Sequence, residues 1–160
     1  MLALCHWIDQ NKFFMALNSS TFFSVILEVS HYFSMMMIVG CMGMVDLRIL
    51  GLAGRKQNLT DIAEDLLPWM WIGVAVNAIS GILMFCGEAT AYWLSGPFRI
   101  KMLLIIVAIV FGAIVNQNAP KWGKQANISA GVKIVALISM LLWIVTILAG
   151  NEVPAISGTG

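Results

Sequence analysis

The chain has 160 residues, of which 60% are hydrophobic and 11% charged, with a formal net charge of +1 and a mean hydropathy of +0.90. That length holds one domain at most. The apolar fraction lies outside the soluble globular range, and the near-zero charge leaves no electrostatic footprint for nucleic acid.

The first residues, MLALCHWIDQNKFF, place Asp9 ahead of Lys12. They lack the basic start and small-residue cleavage site of a signal peptide, so the segment is expected to be retained. Residues 2–17 mix Leu2, Leu4, Trp7, Phe13 and Phe14 with Asp9, Gln10, Asn11 and Lys12. This is too polar to span and suits one amphipathic helix lying in the membrane interface. Asn18, Ser19, Ser20 and Thr21 supply N-cap chemistry for a first spanning helix over about 22–48, with Gly51 and Gly54 marking its end. Thr60 or Asp61 is expected to cap a second, spanning about 66–86, in which Asn77 is the one strongly polar interior residue and Gly73, Ser80 and Gly81 permit close helix approach. After a connection from Gly87 to Pro97 comes a third span, about 98–115, and a polar turn from Asn116 to Lys124 containing Pro120. The fourth span covers about 128–149, where Gly150 stops it, and NEVPAISGTG is expected to be a short polar tail. The fold class is therefore all-α: a four-helix transmembrane bundle, up-down-up-down, in a single integral membrane domain.

Lys and Arg placement gives an orientation. Arg48, Arg55, Lys56, Lys121, Lys124 and Lys133 fall at one end, and Lys12, Arg99 and Lys101 at the other. The positive-inside rule then puts both termini outside, which in a bacterium means the periplasmic side of the inner membrane. Three cysteines, Cys5, Cys41 and Cys86, show no metal-ligand spacing. They read as small apolar thiols packed between helices rather than as a disulfide framework.

The candidate chemistry lies in the first span. Glu28 and His31 are three residues apart and share a helical face with Met35 and Met42. Counted from residue 22, His31 lies about 14 Å below the outer edge at 1.5 Å per residue. An ionisable pair at such depth marks a functional site by default. Its imidazole can ligate haem iron or copper or relay protons, with Glu28 placed to hydrogen-bond it. The alternative is a histidine that merely holds two helices together. A di-iron centre is excluded, since that chemistry needs two E-x-x-H motifs and the chain has one. Met35, Met36, Met37, Met42 and Met44 would suit copper(I), but consecutive methionines point around a helix and read better as flexible packing. Glu88, Arg99 and Lys101 are expected to ring the mouth of a pocket floored by His31, where the cations can hold carboxylates. Snorkelling to headgroups explains them equally well.

With Glu28-x-x-His31, Asp46-Leu47-Arg48, Pro68-Trp69, Pro97-Phe98-Arg99-Ile100-Lys101-Met102 and Trp143 in order, the chain resembles an uncharacterised family of short bacterial inner-membrane proteins. More distantly it is similar to HemJ-type protoporphyrinogen oxidases and to CopD-type copper-resistance membrane proteins. The likeness to HemJ implies His31 as an axial ligand of haem b and Lys101 as a pocket residue. Where such relatives often carry a histidine at the end of the third span, this chain has Asn116, Gln117 and Asn118, and Asn151 stands where an arginine is expected. The second axial ligand would then come from His6 folding back, from His31 of a second protomer or from a methionine, unless the iron stays five-coordinate.

The functional expectation is a small haem b-binding redox protein or subunit with His31, Glu28, Met35, Arg99 and Lys101 around the cofactor. The first alternative is a copper or small-solute transport component using Glu28, His31 and Met35. The second is a cofactor-free structural subunit. Expected partners are the lipid bilayer and either a second copy or a larger membrane redox complex.

Overall fold

The computed structural model describes residues 2–125 and 127–157, with backbone alone at 17, 18 and 150–157. The described residues form helices α1 (Leu2–Asp9), α2 (Lys12–Ser19), α3 (Thr21–Leu50), α4 (Leu59–Phe85), α5 (Ala89–Leu94), α6 (Gly96–Trp122) and α7 (Ala130–Ser157). Four stretches are long and apolar enough to cross a membrane: α3, α4, α6 and residues Ala130–Ala149 of α7. A helix pairs most of its backbone polar groups within the segment, as a lipid surround demands. Helix α3 packs on α4 and α7, and α6 packs on α4 and α7, which closes a square of sequential neighbours.

The boundaries differ from the sequence expectation in four places. The N-terminal segment is two helices, because the Asn11 side chain accepts a hydrogen bond from Phe13 N at 2.9 Å and starts a new helix there. Helix α4 begins at Leu59 because Asn58, rather than Thr60 or Asp61, is its cap and accepts from Thr60 N at 3.1 Å. Helix α6 runs through the expected turn at Asn116 and carries Pro120 inside it. There Asn118 donates to the Ile114 carbonyl at 2.7 Å, a polar side chain satisfied by its own helix. Helix α7 continues through Gly150 to Ser157, since a helical glycine costs only about 1 kcal/mol against alanine. The last three residues of the expected tail lie outside the described residues.

The apolar core sits in the half of the bundle nearer the α3–α4 loop. Ile38, Met42, Val45 and Ile49 of α3 recur at helical spacing and meet Leu59, Ile62, Ala63, Leu67 and Met70 of α4. Helix α6 offers the small stripe Ala108, Gly112, Val115 and Ala119, and α7 offers Ala136 and Trp143. Between helices in lipid, close packing of small residues replaces the hydrophobic drive. At Gly73 a Cβ would fall 2.9 Å from Ile38 Cγ1 and 3.2 Å from the Ser34 carbonyl oxygen. At the other end, α1 packs on α5. The Asp9 carboxylate accepts from Ala89 N at 2.8 Å and Thr90 N at 3.2 Å, so α1 supplies an N-terminal cap to a helix 80 residues away. Cys5 and Cys86 are buried, and all three cysteines are free thiols. Burial and then the Asp9 charge push the Cys86 thiol up.

Two tests follow from this packing. Gly73→Ala should destabilise the protein in detergent by about 1–3 kcal/mol, the usual cost of overpacking. Gly40→Ala, with nothing within 4 Å of the added carbon, should be neutral or mildly stabilising in the same thermal melt. At Asp9 desolvation pushes the carboxyl up, but bonds from Thr90 and Ala89 and the His6 charge outweigh it and hold it below 3.8. Because the folded value is the lower one, its contribution is present above the ordinary value and fades as pH falls through the folded one. Amide exchange at Ala89 and Thr90, corrected for intrinsic rates, should therefore lose protection below 3.8 in the native protein. In Asp9→Ala the protection should be low at every pH.

Candidate functional site

Helices α3 and α4 are joined by a ladder of polar side chains. Asn77 donates to the His31 carbonyl at 3.0 Å and to Ser34 Oγ at 3.1 Å, and Ser34 Oγ donates to that same carbonyl at 2.8 Å. One turn further out, His31 Nδ1 lies 3.0 Å from Ser80 Oγ. The serine oxygen is also 2.8 Å from the Val76 carbonyl and 3.1 Å from that of Asn77. A hydroxyl has a single proton. Directed at a backbone carbonyl, as the shortest contact indicates, that proton leaves Oγ to accept from Nδ1–H. The Nε2 lone pair then has no hydrogen-bond partner among the described residues. The ring lies against Gly81, where a Cβ would come 3.2 Å from His31 Cε1.

Of the residues singled out in the sequence, His31 and Lys101 are both half-buried, and the Lys101 charge is within electrostatic reach of the ring. Met35 is half-buried one turn further in. Glu28 is not the partner of His31. It is exposed, and it faces the Tyr92 side of the bundle, where burial and then Glu88, Glu28 and Tyr32 push the Tyr92 phenol up. Arg99 is exposed and donates to the Leu94 carbonyl at 3.5 Å, and Glu88 is exposed at the start of α5. Tyr92 packs instead with Phe85 and Phe98, with ring centroids 5.3–6.3 Å apart across the three pairs.

His31 is also shallower than its own helix suggests. Its partner Ser80 is only five residues from the end of α4 at Phe85, about 7–8 Å along the axis. The first turns of α3 run past the ends of α4 and α6 and pack on α2. Two cavities lie away from His31. One, of about 240 Å³, is lined by Arg48, Trp122 and Lys133 with their neighbours at the opposite end. The other, of about 290 Å³, lies by Leu67, Pro68 and Asn116. Helix α6 contributes no buried residue before Ala108, so its packing is loosest at the end that carries Lys101. Among the described residues no group of three or more His, Cys, Asp or Glu side chains converges.

A second polar centre was under-read in the sequence. Asp46 is fully buried, and neither carboxylate oxygen has a hydrogen-bond partner among the described residues. Ser139 of α7, equally buried, faces it, yet the pair makes no bond of good geometry, and Trp143 Nε1 is likewise unpartnered. The sequence signal was a lone acid on the apolar stripe, one turn from Met42 and three residues from Ile49. Its neighbour Arg48 turns the other way and donates from Nε to the Gln57 carbonyl at 2.8 Å.

These features define a small multi-pass membrane protein: a four-helix bundle with a histidine clamp near one end and a buried acid near the other. The chain belongs to the DUF6644 family, a family of unknown function, whose model matches residues 10–154. No curated protein and no solved structure matches it.

An unsatisfied buried carboxyl opposes folding. Asp46→Leu should therefore leave the melting temperature unchanged or raise it, with a gain of about 1 kcal/mol or more. A marked loss of stability would show that Asp46 has a partner holding the bundle together.

Proposed function

We propose that this protein is a small haem b-binding subunit for electron transfer in a bacterial inner membrane, with both termini periplasmic and His31 Nε2 the axial ligand. The observation that carries the reading is the hydrogen bond between His31 Nδ1 and Ser80 Oγ, 3.0 Å long. A histidine that ligates a metal through one nitrogen typically donates from the other, which fixes its tautomer and orientation. Ser80 does this here, while Asn77 and Ser34 hold the His31 backbone and Gly81 leaves room for the ring. Lys101, beside the ring, and Arg99, near the helix end, supply cations for the carboxylates of the porphyrin. A bound haem would supply one-electron exchange at its iron, tuned by the axial ligand and its surroundings.

The geometry narrows the second axial position. His6 is exposed on α1, and α1 is tied to α5 through Asp9, so it does not fold back to His31. The looser packing of α6 beside Lys101 would suit closure by a second copy of the chain or by a larger redox complex. Glu28 is reassigned to the outer rim, with Tyr92. The copper reading would rest on His31 and Met35 alone, and the distant likeness to HemJ-type and CopD-type proteins rests on the sequence motifs.

A specific observation also favours the cofactor-free subunit: the His31 ring already has one good bond and fills the gap over Gly81. One experiment separates the two. Protein purified after expression with haem supplied should show a Soret band that His31→Ala abolishes, and Ser80→Ala should weaken haem retention by about 10–100-fold. Absence of the band in the native protein, with His31→Ala lowering only stability, would leave the clamp as the whole role of His31.

A further inference from the structure

The larger density of positive charge lies at the other end of the bundle, around the cavity of about 240 Å³ where the α3–α4 and α6–α7 loops meet. Its lining includes Arg48, Lys133, Trp122, Gln125 and Asn127, with no acidic residue, over a floor that includes Ile49 and Leu59. We propose that this cavity binds the phosphodiester headgroup of an anionic phospholipid.

Three observations carry this assignment. First, Arg48 is half-buried at the end of its span, and its one hydrogen bond among the described residues, from Nε to the Gln57 carbonyl, leaves the terminal guanidinium nitrogens unused. A half-buried guanidinium with no carboxylate beside it calls for an anion, and its planar fork suits phosphate oxygens. Second, Lys133 lies in the first turns of α7, whose Ser129 side chain accepts from Val132 N at 3.5 Å. The positive end of that long helix lies within one turn of Lys133 and adds to the potential there. Third, the site is amphipathic. Trp122 and Ile128, both half-buried, line the cavity beside the cations and present apolar surface. A soluble anion gains nothing from such surface, whereas a phospholipid, whose acyl carbons adjoin its headgroup, does. The cavity sits at the membrane-spanning ends of α3 and α4, on the face that positive-inside counting assigns to the cytoplasm, where anionic lipids meet basic pockets between helices.

The binding is independent of His31 and of any cofactor, so its test stands apart from the haem spectrum. Purified protein in neutral detergent is titrated with short-chain phosphatidylglycerol, phosphatidylcholine or inorganic phosphate, read by native mass spectrometry and thermal shift. Phosphatidylglycerol should bind and raise the melting temperature, with phosphatidylcholine and inorganic phosphate much weaker. Lys133→Gln and Arg48→Gln should each weaken phosphatidylglycerol on the order of fivefold, the share of one cation near a membrane surface. Because Arg48 also bonds the loop, exposed Lys133 keeps the test valid if Arg48→Gln fails to fold. Equal binding of the two lipids, or binding unchanged in Lys133→Gln, overturns the site. Tight binding of inorganic phosphate with no gain from the lipid overturns the lipid assignment in favour of a soluble anion.

Discussion

The contact on which the bundle depends is the seam between α3 and α4. Two helices in lipid gain little from burying leucine against leucine, so what holds them is close approach and interhelical hydrogen bonding. Here both occur along one line. Gly73 and Gly81 let the backbone of α4 approach the side chains of α3, and Asn77 and Ser80 reach across to the His31 carbonyl and ring. The bonds are mutually dependent, because Ser34, Asn77 and the His31 carbonyl form one closed set. Removing one member would leave the others facing a medium with no water to replace it.

That seam divides the molecule into two unlike halves. Toward the α3–α4 loop, all four spans interdigitate around Met42, Val45, Met70 and Val115, a packed interior of the kind that fixes geometry. Toward the other end the apolar packing of α6 stops at Ala108, and half-buried Lys101 and His31 take its place. The helices α1, α2 and α5 cover that end without filling it. Asp9 fixes α1 to the start of α5, while Leu2, Leu4 and Trp7 remain exposed for lipid or a partner.

The buried acid is the counterpoint. Asp46 lies on the buried stripe of α3 with only the Ser139 hydroxyl facing it, which offsets little of its desolvation. Natural cores rarely keep such a group without a use. Its position near the cationic end, with Arg48 turned to the loop and Ser139 opposite, makes it the residue whose role most needs to be explained next.

The amino-acid sequence by itself determined the class of structure. Four long apolar runs separated by polar, Gly- and Pro-containing connections fold as helices fit to span a membrane, because hydrocarbon tolerates only helices or closed barrels and runs of this length suit helices. Small residues such as Gly73 and Gly81 already marked a close seam, and the lone Asn77 marked its polar centre. Helix ends were less legible. Asn11 and Asn58 capped where the pattern alone suggested continuity or a later start, and a proline and a glycine expected to interrupt α6 and α7 sit inside them. Only the tertiary structure decided the partners. Spacing along α3 put Glu28 beside His31, but the ring turned across the seam to Ser80, 49 residues away. Likewise the depth of His31 was set by where α4 and α6 end, not by its own position in α3. Partnership and depth are relations between helices, and a one-dimensional pattern carries only relations within one.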